Sequence, residues 1–144
     1  VTFVETDFNQ ETWMETLLAS GFNPNLTTYI LWEGVTMYLV EEAIRDTLNL
    51  VSTLPKGSAV GVDFFSEDMV KGNGPYEKMS KAMHRGIRYY SENIIFGVST
   101  GEQLSAGVEN LARDSSLTLS LFEHTGSKED KLPPWYFFAH IENL

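Results

Sequence analysis

Three acidic residues stand at or near the ends of apolar runs. Asp7 follows Val1-Thr2-Phe3-Val4-Glu5-Thr6, Glu33 follows Tyr29-Ile30-Leu31-Trp32, and Asp63 lies within Ala59-Val60-Gly61-Val62-Asp63-Phe64-Phe65. If these runs are parallel strands, the spacing gathers the carboxylates along the carboxyl edge of one sheet, where open α/β sheets bind ligands. Acids so placed suit a ligand that offers hydroxyls, amines or positive charge. For Asp7 and Asp63 taken singly, the simpler reading is a turn or helix start and a strand end. Glu33 is harder to dismiss, because Ile30-Leu31-Trp32 drives it toward a buried edge. A carboxylate buried there without partners costs roughly several kcal/mol.

Other reactive types are scattered. Tyr38, five residues after Glu33, is a candidate for lining a pocket and equally a core tyrosine at a helix start. His84, Arg85 and Arg88 share one helical segment. Arginine forks match carboxylates, so these residues are candidates for an anionic substrate, although a solvated helix face is the commoner explanation. Met79 and Met83, at helical spacing, read as core. His124 and His140 are isolated, and no two histidines have metal-ligand spacing, so no metal site is expected. The chain has no phosphate-binding loop or glycine-rich dinucleotide motif.

The elements that must position these groups alternate along the 144 residues. A strand over residues 1–4 leads to a helix over 10–20, capped by Asn9, with Trp13, Leu17 and Leu18 on one face. Gly21 stops it, and Phe22-Asn23-Pro24-Asn25 turns the chain. Residues 27–32 form a second strand, whose continuous apolar end suggests burial on both faces. A helix over 40–54 with Ile44, Leu48 and Val51 inward precedes a third strand over 59–65. The order β-α-β-α-β with short links argues for parallel strands and right-handed crossovers. Beyond a loop-like stretch at 71–75, a helix spans 76–90 with Tyr76, Met79, Met83, Ile87 and Tyr90 on one stripe. Thr100 and Gln103 form a capping box that opens a helix to Asp114, with Leu104, Val108 and Leu111 inward. Leu117, Leu119 and Leu121 alternate with Thr118 and Ser120 as a half-buried strand. After a polar turn at 126–131, residues 135–141 form the last strand, paired with its predecessor as an antiparallel hairpin at a sheet edge.

Composition narrows the function classes. Hydrophobic residues make up 42% of the chain, which excludes a disordered segment. Ten Lys and Arg against 20 Asp and Glu give a net charge of −10, which repels phosphate backbones and argues against nucleic acid as a main partner. With no cysteine there is no disulfide, thiolate metal site or cysteine nucleophile, in keeping with a cytoplasmic protein. No apolar run approaches the roughly 20 residues of a membrane span, and no signal peptide opens the chain, so no membrane partner is expected. The sequence begins at Val1 directly on a strand-like run, as a piece of a longer protein would.

One segment carries a more specific signal. Trp32-Glu33-Gly34-Val35-Thr36-Met37-Tyr38-Leu39 resembles the EGxxMYL signature of the leucine carboxyl methyltransferase family, which includes bacterial polyketide O-methyltransferases. Phe3-Val4-Glu5-Thr6-Asp7-Phe8 is similar to that family's strand end, and Gly21-Phe22-Asn23-Pro24 to its turn. The resemblance covers most of the chain and is strongest over residues 1–65. It implies an α/β, Rossmann-like class I methyltransferase fold with family strand order 3-2-1-4-5-7-6, binding S-adenosyl-L-methionine. This chain would supply the third strand (Val1–Glu5), fourth (Thr28–Trp32), fifth (Ala59–Phe64), sixth (Leu117–Glu123) and seventh (Trp135–Glu142). The first two strands, the glycine-rich loop and the ribose-clamping acid lie outside it. The whole chain is then the C-terminal part of a single methyltransferase domain, with a variable substrate or lid segment at about 66–99.

The resemblance also implies site roles. Asp7 accepts a hydrogen bond from the adenine amine, and Phe8 offers its backbone amide to the ring. Glu33 lies near the methionine end of the cofactor, Gly34 permits close approach, and Tyr38 is a candidate for the acceptor pocket. The implied reaction transfers a methyl group to a carboxylate or hydroxyl of a small-molecule or other carboxylate-bearing substrate. A carboxylate acceptor is already ionised, so no catalytic histidine is needed. The alternative is a catalytically silent interaction module that keeps part of the fold. With strands missing, the run at 28–32 has an open edge. Three outcomes follow: residues 1–5 fill the slot, a second copy pairs there, or another fragment supplies the missing half.

Overall fold

The computed structural model describes residues 1–8, 13–127 and 132–144. Four strands form one mixed sheet: β1 (Tyr29–Trp32), β2 (Ala59–Phe65), β3 (Thr118–Ser127) and β4 (Leu132–Glu142), in the order β1-β2-β4-β3. β1 runs parallel to β2, with Tyr29 opposite Ala59 and Trp32 opposite Val62. β4 runs antiparallel to both β2 and β3, so the hairpin closes the sheet on one side. This order is the 4-5-7-6 half of the arrangement that the resemblance implies, and the fold is Rossmann-like.

One face of the sheet is covered. α1 (Trp13–Ala19), α2 (Glu41–Ser52) and α5 (Ala106–Asp114) supply the cover. The four-then-three spacing of Ile44, Leu48 and Val51 puts them on one helix stripe, and all three are fully buried. They meet Val60, Val62 and Phe64 of β2, Phe137, Ala139 and Ile141 of β4, and Val108 and Leu111 of α5 in one cluster. Trp13, Met14 and Leu54 form a second cluster, against which Phe8, Leu17 and Ile30 pack.

The opposite face is largely bare. Tyr29 is 63% exposed and Leu31 72%, with Leu121 and Phe138 also exposed. Tyr29 lies flat across this face, stacked on His140 at 5.7 Å between ring centroids. Gly61 permits that placement, because a Cβ there would overlap the Tyr29 hydroxyl. The expectation that the run at 27–32 is buried on both faces therefore fails: β1 buries alternate residues, and among the described residues no helix covers its second face.

Residues 1–4 do not form the expected strand, and Val1 and Phe3 are exposed. A strand needs a hydrogen-bonding neighbour, and none of the described strands pairs with this run. Residues 1–4 do not move into the slot beside β1 either. Thr28 turns its carbonyl toward β2, where it accepts from the Ala59 N–H at 3.0 Å. By alternation, Tyr29 and Leu31 turn their backbone groups toward the open edge.

Other differences are local. Met14, not Leu18, joins Trp13 in the core. The Asn9 cap and the helix start at residue 10 lie outside the described residues, as does most of the polar turn at 126–131. The helix expected from the Thr100 capping box begins at Ala106 instead. Gly101 holds a left-handed φ of 50° there, and Gly107 approaches the Ser99 carbonyl so closely that a Cβ would clash. Those close contacts fix residues 99–105 as a turn. A bulge between Leu119 and Leu121 flips the β3 alternation, so Phe122 packs inward and Leu121 faces outward.

After β2 the chain forms two helices, α3 (Glu67–Lys71) and α4 (Glu77–Arg88). Ser66 caps α3, its Oγ accepting from the Met69 N–H at 3.2 Å, and left-handed Gly72 ends it. On α4, Met79, Met83 and Ile87 are half-buried and Tyr90 is exposed, so the expected stripe is buried only at its Tyr76 end. Among the described residues, no helix is long and apolar enough to cross a membrane.

Candidate functional site

Trp32, the last residue of β1, lies opposite Val62 of the longer β2, so Glu33 and Asp63 lie at one level. Asp63 is 1% exposed and Glu33 is exposed. This inverts the sequence expectation, which put Glu33 at a buried edge and Asp63 at an ordinary strand end. Asp63 sits in β2, which is paired on both sides. Glu33 follows an edge strand and precedes Gly34, whose φ of 72° turns the chain away at once. An acid flanked by Val62 and Phe64 in an apolar central run was the signal that could have identified the buried group, since such an acid must be partnered.

Asp63 is well partnered. The Gly34 N–H donates to both carboxylate oxygens, at 2.9 and 3.0 Å, and the Tyr136 hydroxyl donates to Oδ2. The Thr36 hydroxyl donates to the Asp63 backbone carbonyl at 2.6 Å. The turn at 33–36 is thus clipped to β2 at two points, through a side chain and through the backbone. Burial pushes the Tyr136 phenol well above its ordinary pKa, and the hydrogen bond to Asp63 and the charges of Asp63 and Glu33 push the same way. Tyr136 therefore remains a protonated donor at neutral pH.

A second clamp holds the same turn from below. The Ile95 and Phe96 N–H groups both donate to the Met37 carbonyl, at 2.9 and 3.2 Å. The Val98 N–H donates to the Phe65 carbonyl, and the Glu67 N–H to that of Val98, both at 2.8 Å. Gly97 is required in this crossing, because a Cβ there would lie 2.8 Å from the Ser66 carbonyl.

Of the other residues singled out in the sequence, Phe8 stacks on Trp32 at 6.1 Å with planes 26° apart, which brings it beside the start of the clipped turn. Asp7 is exposed, and Gly34 faces open space where its side chain would be. Trp32, Glu33 and Asp63 line a hollow of about 290 Å³ whose other walls include Tyr29, Leu31 and Phe138. Tyr38 ends a 3-10 turn at 36–38, half-buried, and is not among the residues lining that hollow. His84, Arg85 and Arg88 line a different hollow on α4. The site thus presents the exposed Glu33 carboxylate, with Asp63 buried beneath it, against aromatic and aliphatic walls. Such a surface accepts hydrogen bonds from amines and attracts positive charge.

Residues 1–52 match the family model for leucine carboxyl methyltransferase. The matched segment contains Asp7, Phe8, Glu33, Gly34 and Tyr38. Among curated proteins, none matches the chain. Solved structures resemble it in fold. A DUF574 family protein from Streptomyces avermitilis aligns with a TM-score of 0.57 at 11% identity, covering 88% of this chain and 48% of that one. This chain therefore spans about half the length of that structure. A methyltransferase from Methanosarcina mazei, described as SAM-dependent, aligns with a TM-score of 0.49 at 9% identity, over 84% of this chain and 64% of that one. Magnesium protoporphyrin IX methyltransferase from Synechocystis, solved with bound SAH, aligns with a TM-score of 0.47 at 11% identity, over 87% of this chain and 48% of that one.

Proposed function

We propose that the chain is the C-terminal part of an S-adenosyl-L-methionine-dependent O-methyltransferase, acting on a carboxylate or hydroxyl of a small-molecule or other carboxylate-bearing substrate. The observation that carries this reading is the signature turn at 33–36. It lies within the family-matched segment and is clipped to the carboxyl end of the sheet by Asp63. When bound, the cofactor supplies an electrophilic methyl group on a sulfonium sulfur.

The residues present fit one side of such a ligand. Asp7 would accept from the adenine amine, and the Phe8 amide would meet the ring. Glu33 would lie toward the positively charged methionine end, where its carboxylate gains Coulomb energy in a water-poor cleft. Gly34 leaves room for close approach, and Asp63 positions the Gly34 amide. Methyl transfer to oxygen needs alignment and exclusion of water more than a proton relay. A carboxylate acceptor arrives ionised, so this chain needs no base for it. The glycine-rich loop and ribose-binding acid would come from a preceding half. Thr6 Oγ1 and Trp32 Nε1 are buried with no hydrogen-bond partner among the described residues, polar atoms that added chain or ligand would satisfy.

The test is calorimetric titration of S-adenosylhomocysteine into these 144 residues and into a longer protein that includes the preceding half. Weak binding by the first and tight binding by the second are expected, because preorganised contacts are shared between the halves. In the longer protein, Asp7→Ala should lower affinity by roughly 1.5–3 kcal/mol, the value of a charged hydrogen bond, and Glu33→Gln should impair binding or turnover. Affinity unchanged by Asp7→Ala would remove Asp7 from the site. A second reading, a catalytically silent interaction module, is favoured by one observation: the open edge of β1 with Tyr29 and Leu31 exposed. It gains if the longer protein ignores S-adenosylhomocysteine and either protein self-associates through that edge in light scattering.

A further inference from the structure

The region after β2 carries a second concave surface, independent of methyl transfer. Val70 and Lys71 of α3 and Ser80, Lys81, His84, Arg85 and Arg88 of α4 line an open hollow of about 510 Å³. The chain as a whole carries a net charge of −10, yet this lining holds four Lys and Arg side chains and no carboxylate. Lys81, His84, Arg85 and Arg88 fall at i, i+3, i+4 and i+7, one stripe of α4. Like charges so spaced repel and weaken a helix. Cations near a helix C-terminus do complement its dipole, which accounts for Arg85 and Arg88 in the last turn. It does not account for Lys71, Lys81 and His84 converging on the same hollow.

The partners of these groups differ. Lys71 pairs with Glu67, and Lys81 with Glu77 at 2.6 Å, both along their own helices. Arg85 and Arg88 have no ion pair among the described residues. His84 is held in place, its Nε2–H donating to the Val70 carbonyl at 3.0 Å, an oxygen that also accepts from Ser80 Oγ at 3.3 Å. That fixes the ring and leaves Nδ1 for another partner.

We propose that this hollow binds a small, multiply charged oxyanion, a phosphate ester or a polycarboxylate, through the Arg85 and Arg88 guanidinium groups. His84 and the two half-neutralised lysines support it. Two unpaired guanidinium forks match paired oxygens of one ligand, and a doubly charged group relieves the repulsion along the α4 stripe. An open hollow of this size has room for a small anion.

The test titrates inorganic phosphate and citrate separately into the intact chain at low salt, by calorimetry and by the NMR shift of the His84 ring. Binding in the roughly millimolar range or tighter is expected for at least one of them, weakening as sodium chloride is raised. Tighter phosphate binding assigns the site to phosphate esters, and tighter citrate binding to polycarboxylates. Arg85→Gln with Arg88→Gln should weaken binding at least about tenfold, the loss expected for charged hydrogen bonds. Lys56→Gln with Lys78→Gln, which removes the same charge outside the lining, should leave it within roughly twofold, the residual effect of screened distant charges. Retained helix content in circular dichroism separates lost binding from lost folding. Binding of neither anion, an unmoved His84 ring, or equal losses in the two double variants would overturn the proposal. So would binding confined to an acidic peptide.

Discussion

The two faces of the sheet share four strands and obey different rules. On the helix-covered face Val60, Phe64, Phe137 and Ile141 have no exposure and pack in one hydrophobic cluster. On the other face Tyr29, Leu31 and Leu121 lie open beside Gly61, Asp63 and His140. The strands pair identically in both cases, so backbone hydrogen bonding does not separate the faces. Cover does. Asp63, a fully buried polar side chain on the open face, is buried because the turn at 33–36 and Tyr136 fold over it. The first face holds the molecule together and the second carries its candidate chemistry.

The sharpest way to break this contrast is to truncate one large residue on each face. Phe64→Ala opens a cavity in a packed core and should cost about 3–5 kcal/mol. Leu31→Ala removes atoms already in water and should change stability by about 0.5 kcal/mol or less. Urea unfolding of both variants measures the difference. If Leu31→Ala costs as much as Phe64→Ala, something covers the open face in solution. Repeating the measurement at tenfold lower protein concentration then shows whether that cover is a second copy.

A finer comparison lies between the two acids. Asp63→Ala leaves the Gly34 N–H and the half-buried Tyr136 hydroxyl without their shared acceptor. It should cost about 1–3 kcal/mol in the same unfolding measurement. Glu33→Gln should stay within about 0.5 kcal/mol, because Glu33 is exposed. Equal losses would mean that the turn at 33–36 depends on the Glu33 charge, and that the clip is not its anchor.

The sequence made some of this legible and hid the rest for physical reasons. α2 was readable because it carries its own periodicity in Ile44, Leu48 and Val51, and β2 because it is a short apolar run. The hairpin was placed, but the bulge at Leu119–Leu121 overturned the alternation read for its first strand. The strand at residues 1–4 was misread because β propensity says nothing of whether a neighbouring strand is present. The start of α5 was misread because Thr100 and Gln103 have capping chemistry, while the close approach of Gly107 to Ser99 is a tertiary fact. Asp63 was undervalued for a similar reason. Its donors lie 29 residues back at Gly34 and 73 residues onward at Tyr136, and no local window contains them. The signature at 32–39 was visible, and its clip to β2 was not.

The smallest expected effect tests how the open face holds Tyr136. Tyr136→Phe keeps the ring contacts with Phe65 at 5.3 Å and Phe138 at 4.7 Å and removes only the donor to Asp63. At neutral pH the loss should be about 1 kcal/mol, since Gly34 still serves the carboxylate. The pH dependence is the more specific signature. The folded phenol holds its proton more tightly than the unfolded one, whose pKa is near 10. Its contribution to stability is therefore fully present below about pH 10 and lost as pH rises from there through the raised folded value. The unaltered chain should lose stability steeply on this alkaline limb, and Tyr136→Phe should lose it less steeply, by up to about 1.4 kcal/mol per pH unit. Tyr76, also raised, by burial first and then by the Asp68 charge, leaves a residual slope in both. Urea unfolding between pH 9 and roughly 11 reads the two slopes, a range set by the tyrosine pKa. Parallel slopes would mean that Tyr136 ionises freely, and that the turn over Asp63 is open to water.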